Sequence, residues 1–183
     1  MNKFIYQTKT KTGKTVSFRY LGIDDVQIIT DFINKASKEK TFITFQGEIL
    51  SLEDEQKYIQ SKVEAIEKKE AVALLAFIDN KLIGSSGIDL EIKIKSHQGL
   101  FGIIIDHDCR GEGVGKILME LVVKEAIKNI KGLKIITLEV FGSNFIAQSL
   151  YKKMGFVEFG RLPQGIKYKD NFEDEILMYK KIK

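Results

Sequence analysis

The chain contains few of the residues that build cross-links, metal centres and sharp breaks. Its 183 residues include one cysteine, Cys109, one proline, Pro163, and two histidines. A single cysteine excludes an intramolecular disulfide framework and suits a reducing compartment. One cysteine and two histidines, with no ligand spacing between them, give no basis for a metal site. No apolar run approaches the ~18–20 residues needed to cross a bilayer. Met1–Gln7 lacks the apolar core of a signal peptide, so a cytoplasmic location is expected, with no membrane partner. Charge of either sign is nearly balanced, with 29 Lys and Arg against 25 Asp and Glu, or +4. So small and dispersed an excess argues against nucleic acid, yet it helps to attract a small polyanion. Internal repeats are also absent. What remains is 44% hydrophobic and 30% charged residues, the balance of a globular protein whose length fits one domain over residues 1–183.

The most informative run is Arg110-Gly111-Glu112-Gly113-Val114-Gly115-Lys116. It lies between the apolar stretch Leu100–Ile105 and the amphipathic stretch Val114–Ile127, so a strand ends, turns through glycines and opens into a helix. Such a turn presents backbone N–H groups at a helix N-terminus, where the dipole favours negative charge. With Arg110 at its mouth, it reads as a cradle for a pyrophosphate. A P-loop is excluded because Gly115-Lys116 is followed by Ile117 instead of a magnesium-binding hydroxyl. A dinucleotide fingerprint fails too, since the third glycine would fall on Lys116 or Leu118. What remains is Arg-x-x-Gly-x-Gly.

Around this loop the pattern predicts a mixed α/β order. Phe4–Lys9 and Thr15–Leu21 form a hairpin, followed by a helix from Asp24 or Asp25 to about Ala36 with Val26, Ile29, Phe32 and Ile33 on one face. After the hydrophobic loop Thr41–Glu48, Ser51-Leu52-Glu53-Asp54 resembles a capping box and opens a helix to about Lys69. Ala71–Ile78 and Leu82–Ile92 flank the turn Asp79-Asn80-Lys81. Gly99–Ile105 leads into the loop and a helix to about Asn129. A strand at Lys134–Phe141, a short helix, a strand at Phe156–Leu162 and a closing strand near Ile176–Lys181 complete the order.

The short helix supplies a second motif. Ala147, Leu150, Tyr151 and Met154 fall at i, i+3, i+4 and i+7, with Asn144 as N-cap and Gly155 just past the end. Together with the loop about thirty residues earlier, the spacing Asn-x-x-Ala-x-x-Leu-Tyr-x-Lys-x-Gly-Phe resembles the GCN5-related N-acetyltransferase (GNAT) family. The resemblance covers the whole order of elements, with its specific motifs between Ile103 and Phe156. It implies an α/β (α+β) fold, a single mixed, mostly antiparallel sheet flanked by about four helices.

It also implies acetyl-CoA as the acetyl donor and direct transfer to an amine. Its cofactor site would comprise Ile103, Ile104 and Ile105 on the strand edge, then Arg110, Gly111, Glu112, Gly113, Val114, Gly115 and Lys116, with Asn144 and Tyr151. Amide formation needs a base, because an alkylammonium has no lone pair. It needs a donor for the developing oxyanion, here a backbone N–H of Ile103–Ile105, worth roughly 3–4 kcal/mol. It also gains from an acid at the departing thiolate, since a free thiol has a pKa of about 8.5. Tyr151 matches the family's acid, although its place on the apolar stripe equally suits core packing. Asn144 serves as a cap, a cofactor contact or both. Arg110 reads as a phosphate contact or a solvated surface arginine.

For the base, Glu139 comes first. It stands on the predicted strand with Thr137 and Phe141 on one face and Leu138 and Val140 on the other. Solvent exposure is its plain alternative; Glu91, Asp89, Glu48 or a held water are rivals. His107 reads as a turn residue and Cys109 as a loop residue, because direct transfer needs no acyl-enzyme. The acceptor would enter between Phe42–Glu48 and a loop at Gln164–Asp174, where aromatics and carboxylates suit an ammonium. That leaves an amine-bearing small molecule or a protein N-terminus as partner. A homodimer is left open, since no feature fixes an interface. The rival from another class is a non-catalytic acyl-CoA-binding sensor of the same fold.

Overall fold

The computed structural model describes residues 3–182. Its centre is one eight-stranded sheet in the order β1-β2-β3-β4-β5-β6-β8-β7. The strands are β1 Phe4–Lys9, β2 Thr15–Tyr20, β3 Ala71–Ile78, β4 Lys81–Leu90, β5 Gln98–Ile105, β6 Ile135–Phe141, β7 Val157–Tyr168 and β8 Asn171–Lys181. Every neighbouring pair is antiparallel except β5 and β6. Four α-helices cover the sheet: α1 Val26–Lys38, α2 Leu52–Glu67, α3 Val114–Asn129 and α4 Phe145–Lys153. Strand alternation sends side chains to both faces, and each face has its own core. On one side Leu118, Met119 and Val122 of α3 pack with Ile83, Ile88, Phe101, Leu138 and Met178. On the other, Ile29, Phe32 and Ile33 of α1 and Ile59 of α2 cover Ala73, Leu75 and Phe77. Leu118 and Met119 are wholly buried, and each such side chain contributes about 1.5–3 kcal/mol. β3 is buried along its whole length, which explains its unbroken apolar sequence.

Local chemistry sets most boundaries. Asp79 and Asn80 turn the β3–β4 hairpin at φ 48° and 63°, the left-handed pair of a two-residue hairpin turn. The Ser51 hydroxyl oxygen accepts the Asp54 N–H and caps α2. The capping box is not reciprocal, because the Asp54 carboxylate accepts from the Ser51 hydroxyl at 2.7 Å.

One expectation is corrected. Gln164–Asp174 is not a loop; β7 and β8 run on as a long ribbon whose turn is at Lys169 and Asp170. Pro163 has no N–H to give a ladder, and β7 is an edge strand, where that loss is tolerated. The register shifts between Leu162 and Ile166, with Gln164 at φ 57°, so the sheet absorbs the interruption as an irregularity.

The feature that positions the site is a split in the sheet. The parallel β5–β6 ladder joins Gln98, Gly99 and Leu100 to Ile135, Ile136 and Thr137 and then stops. Beyond it, β5 follows β4 as far as Ile105 opposite Gly84, while β6 follows β8 as far as Phe141 opposite Glu175. The edges Phe101–Ile105 and Leu138–Phe141 therefore have no ladder partner in each other.

Candidate active site

The glycine loop sits at the end of the β5 arm of this split. Asp106 caps a short 3-10 turn, His107–Cys109, and its buried carboxylate pairs with Lys35 of α1 at 2.7 Å. Burial works against that charge, but the Lys35 ammonium and the Asp108 N–H hold the carboxyl below the usual carboxylate range. Gly111 and Gly113 then take φ of 80° and 87°, a region that costs an L side chain about 1–2 kcal/mol. A Cβ at either would meet nothing within 4 Å, so backbone conformation and not space requires glycine there. The N–H groups of the loop and the first turn of α3 border this open ground, a geometry that fits a pyrophosphate.

Arg110 is engaged elsewhere. Its guanidinium donates to the Ile105 carbonyl at 3.0 Å and to Glu39 just past α1 at 2.9 Å. A phosphate would have to share this group with Glu39. His107 is exposed, and Cys109 has its thiol pushed up, chiefly by burial. Neither suits a nucleophile's role.

Side-chain direction divides the remaining candidates between the two faces. Ile103 and Ile105 pack toward α3, and Ile104 toward α1 and α2. Tyr151 of α4 lies on the α3 side, 8% exposed, its ring 6.1 Å from Phe101 and 6.2 Å from Phe156. Burial pushes its hydroxyl up to about 12, and that hydroxyl makes no hydrogen bond to protein among the described residues. Asn144 caps α4 by accepting the Ala147 N–H at 3.1 Å. Among the described residues it makes no hydrogen bond to the glycine loop.

Glu139 lies on the opposite face. Leu138 and Val140 are buried in the α3-side core, so Thr137, Glu139 and Phe141 project toward the side of α1 and α2. Desolvation raises the Glu139 carboxyl, and the like charges of Glu175 and Glu91 raise it further. The rival carboxylates differ. Asp89 is paired with Lys62 of α2, and Glu48 is held low by backbone hydrogen bonds at its own loop.

The two segments expected to flank the acceptor come together on this face. Phe42, Phe141 and Tyr168 form a trio with ring centroids 5.3–5.6 Å apart. The Tyr168 hydroxyl donates to the Lys40 carbonyl at 3.1 Å, which ties the β7–β8 ribbon to the loop after α1.

Residues 36–156 match the model of the Acetyltransferase (GNAT) family. The chain belongs to the GNAT family. Its fold is shared with a GNAT acetyltransferase of Streptococcus pneumoniae, at TM-score 0.84 and 26% identity, covering 91% of this chain and 99% of that one. A ribosomal L7/L12 alpha-N-protein acetyltransferase solved with coenzyme A has the same fold at TM-score 0.79 and 13% identity, covering 98% of each chain. In sequence, the ribosomal protein bS18-alanine N-acetyltransferase of Escherichia coli is 35% identical over 79 residues, 43% of this chain and 52% of that protein. The chain spans about half the length of the first curated relatives it matches.

Several residues around the glycine loop and Glu139 leave no signal in the sequence. Glu39 holds Arg110 from 71 positions away, and Lys11 and Thr12 reach the loop from 100 positions away. Glu175, which raises Glu139, comes from β8. All four are ordinary surface residue types with no local pattern, and only strand order brings them in. Among the described residues no cluster suited to a metal ion occurs, and no helix is long and apolar enough to cross a membrane.

Proposed function

We propose that this GNAT chain works as one N-acetyltransferase domain, moving an acetyl group from acetyl-CoA directly to a primary amine of a small molecule or a protein N-terminus. The observation that carries this reading is the split between β5 and β6, with a buried tyrosine on one face and a carboxylate of raised pKa on the other. A thioester donor lying in the split from the α3 side meets an amine arriving from the aromatic side.

Acetyl-CoA, when bound, supplies an activated acetyl thioester. The chain's part is to hold and to move protons. The loop from Gly111 to Lys116, with Arg110 beside it, holds the pyrophosphate, and the free edge of Ile103–Ile105 offers backbone N–H groups to the arm and to the carbonyl oxygen. Glu139, directly or through a water, takes a proton from the incoming ammonium; a raised carboxyl pKa makes it a better base. Tyr151 stays protonated at any physiological pH. Because its pKa of about 12 lies above that of a thiol, it acts chiefly by donating a hydrogen bond to the departing sulfur. Phe42, Phe141 and Tyr168 face the ammonium with ring surfaces, and Glu139 and Glu175 add charge. Asn144 leaves its amide NH2 for the donor while its oxygen caps α4.

Both tests begin with calorimetric titration of CoA into the chain. Acetyl-CoA is then offered with a panel of polyamines, amino acids, aminoglycosides and an alanine-initiated peptide, and thiol release is followed. Binding with release on at least one amine supports the enzyme. Tight CoA binding with no turnover on any amine favours the acyl-CoA sensor, and no CoA binding defeats both readings.

A further inference from the structure

The glycine loop is gripped from outside by the tip of the β1–β2 hairpin. The Lys11 ammonium donates to the Gly111 carbonyl at 2.9 Å, and the Lys11 backbone N–H donates to the Glu112 carbonyl at 3.3 Å. The Thr12 N–H and hydroxyl both donate to one oxygen of the Glu112 carboxylate, at 3.1 and 2.8 Å. Within the tip, Gly13 donates to the Thr10 carbonyl at 3.0 Å and Lys14 to the Thr10 hydroxyl at 3.2 Å, so the turn is itself braced.

A trans peptide is planar, with its C=O and N–H pointing in opposite directions. Fixing the carbonyls of Gly111 and Glu112 against the hairpin therefore turns the N–H groups of Glu112 and Gly113 away from it. Neither N–H donates to another protein group among the described residues. The left-handed glycines make this orientation possible, but they also make it easy to lose, because glycine explores φ of either sign at little cost. The carboxylate of Glu112 is the second problem the hairpin solves. It is the negative charge nearest to a bound phosphate in sequence, and the two Thr12 donors hold it on the hairpin side.

We propose that Thr12 and Lys11 are positioning residues for the donor: the hairpin tip sets the N–H groups of Glu112 and Gly113 toward the pyrophosphate and withholds the Glu112 carboxylate from it. This rests on the reading of the loop as a CoA pyrophosphate site. The Lys11 ammonium remains at the rim of the loop, where it adds positive charge.

The test is a calorimetric comparison of CoA with pantetheine, which has the same arm but no phosphates. Thr12→Val and Lys11→Met should each raise the Kd for CoA about tenfold, the loss of hydrogen bonds that orient a charged contact. Thr12→Ser should restore it, and pantetheine should bind every variant as it binds the parent. Thr12 is exposed at a turn, so thermal unfolding should show the variants folded. An unchanged Kd for CoA in both variants overturns the clamp while leaving the pyrophosphate site standing. Equal losses for CoA and pantetheine also overturn it, because they show general disruption. If the parent chain binds no CoA, the clamp falls together with the site it serves.

Discussion

The two halves of the site are built in different ways. As proposed, the donor half is a single stretch, Ile103–Lys116, whose recognition groups would be backbone N–H donors set by two glycines at φ 80° and 87°. The proposed acceptor half draws on side chains instead: Phe42 after α1, Glu139 and Phe141 on β6, Tyr168 and Glu175 on the β7–β8 ribbon. A backbone-built site tolerates little change at its glycines and much at its side chains. A side-chain-built site has the opposite property, so one fold can keep its donor while the acceptor varies.

The largest effect expected from this division falls on the chemistry at the boundary. Glu139→Gln should lower kcat by about 10²-fold or more and leave CoA affinity unchanged in calorimetry. The parent's rate should rise with pH through a limb above the ordinary carboxylate range, since the base must lose its proton, and the variant should lack that limb. Stability moves the opposite way with pH. A carboxyl raised on folding binds its proton more tightly in the native state, so the parent loses stability as pH rises through that window. Thermal unfolding at neutral pH should therefore find the variant more stable than the parent, the difference vanishing below the carboxylate range. A variant that turns over at the parent rate would remove Glu139 from the mechanism.

Tyr151→Phe should cost about 10²-fold in kcat with little change in CoA binding, because the ring remains packed against Phe101 and Phe156. Gly113→Ala comes next. Forcing alanine to φ 87° costs about 1–2 kcal/mol, so the Kd for CoA should rise roughly tenfold. Gly115→Ala should be nearly silent, because its Cβ would stand 3.5 Å from Ile105, an ordinary contact. If the two alanines behave alike, backbone conformation is not what the loop requires. The smallest effect belongs to Phe42→Ala, which should raise the KM of the amine a few-fold and leave CoA affinity intact. A change in CoA affinity there would show that the two halves are coupled, with Arg110, Glu39 and Lys40 as the connecting line.

The strand–glycine turn–helix unit was largely legible because its information is local. Glycines, the strand before them and the helix after them lie in one continuous stretch, Gln98 to Asn129, and the short helix announced itself through Asn144, Tyr151 and Gly155. The loop expected at Gln164–Asp174 was misplaced, because Pro163 sits on an edge strand, where the ladder needs no N–H from it. Arg110 was legible as a cation near the loop, but its partner Glu39 was not.

By itself, then, the sequence determined the order of elements, the glycine turn and the helix that carries Tyr151. Each depends on period, caps and backbone conformation, which neighbours in the chain control. Only the tertiary structure decided where β5 and β6 separate and that Tyr151 and Glu139 stand on opposite faces. It alone also gathered the aromatic trio and set the hairpin tip against Glu112. Those relations depend on strand order and register, which bring together groups as far as 128 positions apart, and no local pattern encodes them.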